Sequence, residues 1–170
     1  SAHLMPPNGG FGGNTGIHDA HNLAWKLAAV LNGAAGPGLL DSYEAERRPV
    51  AQFTVEQAYT RYVTRTATYL GATDYQPLAH DFNVELGYIY RSPAILAEDD
   101  DSKGHDDPRQ TRGRPGSRAP HLFVIQDGKR ISLLDLFGRG FVLLAGPDGD
   151  AWSAAVASVA GRFENLDLQA

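Results

Sequence analysis

Hydrophobic residues recur at helical spacing directly after a glycine-rich start. Ile17, Ala20, Leu23, Ala24, Leu27, Ala28 and Leu31 fall at three- and four-residue steps, the period of a helix that buries one face. Asn14 or Thr15 is a suitable N-cap, Gly33 a stop, and Asp19 early and Lys26 late carry the signs that suit the helix dipole. After the Gly36-Pro37-Gly38 turn, residues 39–48 read as a short charged helix that Pro49 ends. Proline is welcome in a first helical turn, so residues 49–70 read as a longer helix with Val50, Phe53, Val55, Ala58, Tyr62 and Tyr69 on its buried side. Between residues 82 and 90, apolar and polar positions alternate as in a strand.

The pattern then breaks. Residues 98–108 are acidic and polar, bury nothing, and read as a solvated loop or linker. Beyond Arg114-Pro115-Gly116 come a strand at 122–125, an Asp127-Gly128 turn, a short helix in 132–137 and a buried strand over 141–145. Helical spacing over 151–163 and a possible strand opening at 166–168 complete a βαβ-like order. The expectation is an α+β chain in three parts, a mainly helical unit over 1–97, a linker over 98–114 and an α/β unit over 115–170. A start at Ser1 without Met and too few strands to close a sheet point to a piece of something longer.

Composition narrows the function. At 170 residues and 42% hydrophobic, the chain can bury a core. A net charge of -5 with scattered basic residues offers no polycation to nucleic acid. No apolar run approaches the roughly 20 residues of a membrane span, and no signal-peptide layout is present, so a cytoplasmic setting is expected. The absence of cysteine excludes disulfides, thiolate nucleophiles, Cys-ligated zinc and dithiol redox chemistry.

Residues 6–16, Pro-Pro-Asn-Gly-Gly-Phe-Gly-Gly-Asn-Thr-Gly, are the main candidate for chemistry. A glycine-rich loop running into a helix presents unpaired amides and partial positive charge to an anionic or electron-rich ligand. The same spacing also fits a flexible turn before a helix. No Gly-Lys-Ser/Thr follows, so this is not a Walker loop, and Gly10, Gly12 and Gly16 miss the dinucleotide fingerprint. His18 and His21 form an HxxH pair without a third ligand or the glutamate of a zinc protease, so no metal is expected there. His3 is expected to order the loop by hydrogen bonding. Glu44, Glu46, Arg47 and Arg48 are expected in surface or interhelical ion pairs, and Phe53, Tyr59, Tyr62 and Tyr69 in the core. Asp99 to Asp101 lack the EF-hand spacing for calcium.

Ala2-His3-Leu4-Met5-Pro6-Pro7-Asn8-Gly9-Gly10-Phe11-Gly12-Gly13-Asn14-Thr15-Gly16-Ile17-His18-Asp19-Ala20-His21-Asn22-Leu23-Ala24-Trp25-Lys26-Leu27 resembles the second FAD-binding motif of group A flavoprotein monooxygenases. Residues 40–50, Leu-Asp-Ser-Tyr-Glu-Ala-Glu-Arg-Arg-Pro-Val, resemble the family's next signature, at the expected distance. The resemblance is greatest to the aromatic polyketide hydroxylases of antibiotic pathways, in which a thioredoxin-like domain without redox cysteines follows. Residues 115–170 are similar to the beginning of that domain.

The resemblance implies a helical segment of an FAD-binding domain followed by an incomplete thioredoxin-like α/β domain. It implies FAD as cofactor, NAD(P)H as co-substrate, O2, and an aromatic polyketide as the small molecule hydroxylated. The backbone amides of Gly13 and Asn14 would meet the flavin pyrimidine edge, and Pro7, Gly9, Gly10 and Gly12 would let the loop lie against the ring. No side chain here is expected as nucleophile or base. The family's Gly-Asp before Ser1 and its N-terminal βαβ unit are not in this sequence, so FAD binding by this chain alone is expected to be weak or absent. A homodimer or a missing N-terminal FAD-binding half would be its partner. The alternative is a non-catalytic interaction protein derived from such an enzyme.

Overall fold

The computed structural model describes residues 3–97, 103–138, 140–163 and 165–170. The acidic run at 98–102, with the aspartates weighed for calcium, lies outside the described residues. By proximity the chain divides into two units, Ser1–Leu27 with Pro37–Pro120, and Ala28–Gly36 with His121–Ala170.

The first unit is built on α1 (Phe11–Leu31) and α2 (Asp41–Arg61). A turn of wider helix (Tyr62–Thr66) and a tight turn (Thr68–Leu70) follow α2, and α3 (Asp81–Leu86) comes next. Pro49 does not end a helix as its sequence context suggests. It sits inside a continuous 21-residue α2, exposed, where it withholds one N–H from the helix without breaking it. The expected strand over 82–90 is α3 followed by an extended stretch, of which Tyr88 alone forms an isolated bridge, to His105. The His80 side chain accepts from the Phe82 amide and starts α3, a local signal that outweighs the alternation.

Helix α1 inverts its expected amphipathicity. Its buried residues are Phe11, Thr15, Asp19, Asn22 and Lys26, which also fall at three- and four-residue steps. The apolar stripe faces out, with Ile17 66% and Leu31 82% exposed. The cause is α2, which offers Glu46 and Arg47 to the polar stripe. Lys26 Nζ and Asn22 Nδ2 each donate to Glu46 Oε2 at 2.7 Å, and Ser92 Oγ donates to Oε1 at 2.7 Å. One turn away, Arg47 Nε donates to Asp19 Oδ1 at 2.7 Å, and His3 Nδ1 lies 2.7 Å from Oδ2. Arg47 Nη1 donates to the Tyr90 hydroxyl at 3.0 Å, while the guanidinium carbon lies 5.5 and 5.9 Å from the Tyr88 and Tyr90 ring centres. Asp19 and Lys26, which suit the helix dipole in sequence, are thus partners of buried opposite charges.

The predicted ion pairs are present in both forms, since Glu44 and Arg48 pair on the surface while Glu46 and Arg47 pair between helices. Of the expected buried side of α2 and its extension, Val50 and Ala58 are buried, Phe53, Val55 and Tyr62 are half-buried, and Tyr69 is 80% exposed. A small apolar cluster of Phe11, Ala58 and Val84 lies at the start of α1, with Met5, Phe53 and Ala79 against it. Residues 103–120 group with this unit. Ile89 N donates to Gly104 O, Asp106 N to Gly87 O and Tyr90 N to Gly116 O, and the buried Thr111 hydroxyl donates to Arg118 O.

In the second unit, β1 (Phe123–Gln126) and β2 (Lys129–Ser132) form an antiparallel hairpin with Phe123 opposite Ser132. Asp127 and Gly128, both at positive φ (51° and 75°), make the turn that suits the right-handed strand twist. Ser132 and Asp135 form a reciprocal capping box on the tight turn Leu133–Leu136. Strands β3 (Phe141–Val142) and β4 (Leu168–Gln169) pair in parallel across α4 (Asp150–Ala160), which is the βαβ order read from sequence. The expected buried strand over 141–145 is shorter and more open than its apolar run suggests, with Phe141 51% exposed. No helix among the described residues is long and apolar enough to cross a membrane.

Burial alone would raise the Glu46 carboxyl pKa. The hydrogen bonds from Lys26, Asn22 and Ser92 outweigh that and hold it below the usual glutamate value. Its contribution to stability is therefore present above the unfolded value of about 4.3 and is lost as pH falls through the lower folded value. Urea titrations over a pH series are expected to show stability declining in that acid window, with a shallower decline in Glu46→Gln. Lys26→Met, which leaves a buried carboxylate without its charge partner, is expected to cost about 3–5 kcal/mol at neutral pH. An unchanged urea midpoint in Lys26→Met would show that the pair does not hold the helices.

Candidate flavin-facing loop

The sequence motif becomes a turn followed at once by α1. Gly10 N donates to Pro7 O at 3.2 Å, and Gly9 and Gly10 take φ of +90° and +70°. The helix begins at Phe11, earlier than an N-cap at Asn14 or Thr15 allows. Asn14 instead donates through Nδ2 to Glu85 Oε1 at 3.0 Å, and Thr15 is buried. Gly12 and Gly13 therefore lie in the first turn of α1, where backbone N–H groups have no partner within the helix, and Asn14 follows them.

Phe11 anchors this turn. It is 2% exposed and lies beneath the Arg61 guanidinium, whose carbon is 4.8 Å from its ring centre. Arg61 is itself held by Gln57, the Ala79 carbonyl and Asp81. Asn8 Nδ2 donates to Thr66 Oγ1 at 2.6 Å and fixes the outer edge of the loop. His3 bonds to Asp19, in keeping with the ordering role expected of it. The sequence reading did not single out Phe11, Arg61, Thr66 or Glu85. A lone large apolar residue inside a glycine run is the one signal that could have marked Phe11.

Two glycines differ in why they are glycine. A Cβ at Gly9 would meet the Phe11 ring at 2.5 Å, so the internal packing of the loop requires its absence. A Cβ at Gly13 meets nothing within 4 Å. Glycine inside a helix costs about 1 kcal/mol relative to alanine, and no neighbour within the fold repays it at position 13. What it does is leave bare backbone at the positive end of a long helix. Pro7, Gly9, Gly10, Gly13 and Asn14 are exposed and Gly12 is half-buried, so the six expected site residues share one accessible turn.

The titratable side chains nearest this turn are Glu85, whose carboxylate accepts from Asn14, and His18. His18 sits edge-on to Tyr88, with ring centres 5.7 Å apart, and its pKa is pushed down by burial and then by the Arg47 charge, which favours the neutral ring. Among the described residues no group of three His, Asp or Glu is placed to hold a metal ion. The arrangement can offer backbone N–H groups and a helix dipole to an electron-rich ligand.

Residues 1–58, which hold the loop, α1 and α2 up to Ala58, match the family described as FAD binding domain. The chain is similar to monooxygenases and polyketide hydroxylases. It is 56% identical over 176 residues to a 4-methyl-5-nitrocatechol 5-monooxygenase of Burkholderia sp, an alignment that covers 100% of this chain and 32% of the relative. It is 49% identical over 152 residues to an aklavinone 12-hydroxylase of Streptomyces peucetius, covering 89% of this chain and 31% of the relative. The crystal structure of aklavinone-11 hydroxylase in ternary complex with FAD and aklavinone superposes with a TM-score of 0.91 at 43% identity, over 98% of this chain and 31% of that one. The chain thus spans about a third of the length of these relatives.

Gly9→Ala is expected to destabilise the chain by about 1–3 kcal/mol, from the Phe11 contact and the positive φ. Gly13→Ala is expected to stabilise it by about 0.5–1 kcal/mol, since the space is open and helix propensity rises. Chemical denaturation of the two variants checks both signs. A destabilised Gly13→Ala would give that glycine an internal role after all.

Proposed function

We propose that this chain forms one wall of the flavin site of an FAD-dependent monooxygenase that hydroxylates an aromatic, polyketide-type substrate with NAD(P)H and O2 in the cytoplasm. The observation that carries the reading is the glycine-lined first turn of α1, with open space over Gly13, within sequence of an FAD binding domain. In this reading the amides of Gly13 and Asn14 hold the pyrimidine edge of the isoalloxazine. Pro7, Gly9, Gly10 and Gly12 keep the loop low enough for the ring to lie against it. Reduced flavin carries negative charge at that edge, and preorganised donors there favour it as an oxyanion hole favours an alkoxide. Bound FAD supplies the redox chemistry, accepting hydride from NAD(P)H and activating O2 toward an electron-rich ring. This chain's own part is to position the ring and stabilise its charge, and the ion pairs between α1 and α2 keep the donors fixed.

Residues 115–170 stand in this proposal as the beginning of the thioredoxin-like domain of such an enzyme. The exposed stripe of α1, with Ile17 66% and Leu27 39% exposed, is the surface against which the dinucleotide-binding half of the flavoprotein packs. The stripe also keeps open the second reading, an interaction protein descended from such an enzyme, because either use buries the same side chains.

Addition of FAD to the isotope-labelled chain is expected to move the amide resonances of Gly12, Gly13 and Asn14, with weak affinity, and desalting is expected to strip the flavin. Shifts confined to other residues, or none at millimolar FAD, would overturn the assignment of the wall. Stoichiometric flavin retained after desalting would overturn the expectation that this wall alone holds FAD poorly.

A further inference from the structure

The Glu85 carboxylate stands beside the glycine turn and, among the described residues, forms no ion pair. Its place is fixed by its neighbours on α3. Val84 is buried in the cluster with Phe11 and Ala58, and the helix stops at Gly87, where a Cβ would run into the Asp106 carbonyl oxygen. Glu85 itself is half-buried, and its Oε1 accepts from Asn14 Nδ2 at 3.0 Å. The other charged groups around it are already answered. Arg47, which lines the same small gap as Asn14 and Glu85, is taken by Asp19 and Tyr90, and His18 in that gap is held toward its neutral form.

The Asn14–Glu85 contact does two separable things. An asparagine at the start of a helix can turn its side chain onto nearby backbone groups and compete for them. Glu85 draws that side chain aside, and the free N–H groups of Gly12 and Gly13 are left to a ligand. The same contact sets a negative charge one side chain away from those donors. The positive end of α1 favours an anion at the turn, and the carboxylate opposes it.

That opposition matters for a ring that changes charge. Hydride transfer from NAD(P)H brings two electrons and one proton to the flavin, which thereby gains one negative charge. We propose that Glu85 is a positioning residue of the flavin-facing turn that lowers the reduction potential of flavin held there, while its hydrogen bond keeps the Asn14 side chain off the donors. A ring held at lower potential passes electrons to O2 with more driving force. The role of Glu85 rests on the flavin reading above.

The potential of bound flavin differs from that of free flavin by the ratio of affinities for its two oxidation states, so the test needs no turnover. Amide resonances of Gly12 and Gly13 in the isotope-labelled 170-residue chain are followed without oxygen against oxidised FAD and against dithionite-reduced FAD. Glu85→Gln keeps an acceptor for Asn14 and removes the charge. It is expected to hold the affinity for oxidised FAD within about twofold and to raise that for reduced FAD about twofold to fivefold, as for one charge partly screened by solvent. Glu85→Ala is expected to keep that preference but to bind both forms more weakly than Glu85→Gln, and to move the Asn14 side-chain resonances in the flavin-free chain. Glu44→Gln removes a carboxylate from the exposed pair with Arg48 and is expected to leave the preference unchanged.

If FAD moves the Gly12 and Gly13 amides of the wild-type chain but Glu85→Gln leaves the preference unchanged, the role of Glu85 is overturned and the flavin reading stands. An equal change in Glu44→Gln would also overturn it, by tracing the effect to net charge. If neither form of FAD moves those amides in the wild-type chain, the flavin reading and the role of Glu85 fall together.

Discussion

The placement of everything in the first unit depends on four charges kept out of water between two helices. Lys26 is 0% and Arg47 1% exposed, and each has a carboxylate partner that is almost as deeply buried. Moving such ions out of water is costly, and the attraction repays it only where geometry is tight and the remaining lone pairs are filled. Here Glu46 accepts from three side chains, and Asp19 is met by Arg47 and His3. The consequence is registry more than raw stability. A one-residue slip of α1 against α2 would strand both carboxylates, whereas a slip of an apolar seam would only repack it. The start of α1, and with it the glycine turn, is thereby set relative to α2, and the Arg47–Tyr90 and Glu46–Ser92 contacts extend the setting to residues 88–92.

Rigidity behind the turn explains how the turn can be poor in side chains. Glycine at 12, 13 and 16 weakens a helix that propensity alone would start late, and yet α1 begins at Phe11. Phe11 beneath Arg61, with Asn8 on Thr66 and Asn14 on Glu85, supplies from tertiary contacts what the local sequence lacks. Bare backbone can then face outward without fraying. No neighbour comes within 4 Å of a Cβ placed at Gly13, so these anchors leave the space there open.

Much of this was legible in the sequence, and the misses share a cause. The glycine run, the helical periodicity after it, the Asp127-Gly128 turn and the βαβ order are local signals, and they hold, whereas β2 was not read as a strand. The buried face of α1 was not legible, because two stripes of equal periodicity compete and hydropathy chooses the apolar one. Only the partner helix, with Glu46 and Arg47 at the matching height, decides for Thr15, Asp19, Asn22 and Lys26. Pro49 misleads for a similar reason, since its local meaning is a helix end while α2 is held before it by Asp19 and Ser92 and after it by the carbonyls of Gln76, Pro77 and Ala79. The glycine and proline pattern of the site was readable. Its anchors Phe11, Arg61, Thr66 and Glu85 come from sequence distances of about 50 residues or more, which no local window spans.

The inverted α1 also leaves an apolar face uncovered. A helix that satisfies its polar face internally has its apolar face left to offer, and Ile17, Ala20, Ala24 and Leu27 are exposed along it. Burying an aliphatic side chain of this size contributes about 1.5–3 kcal/mol, so a partner surface covering the stripe would add strongly favourable free energy without disturbing the ion pairs behind it. The two faces therefore act in sequence. The polar one fixes where α1 stands, and the apolar one fixes what can be built upon it. The glycine turn at the head of the helix inherits its position from the first.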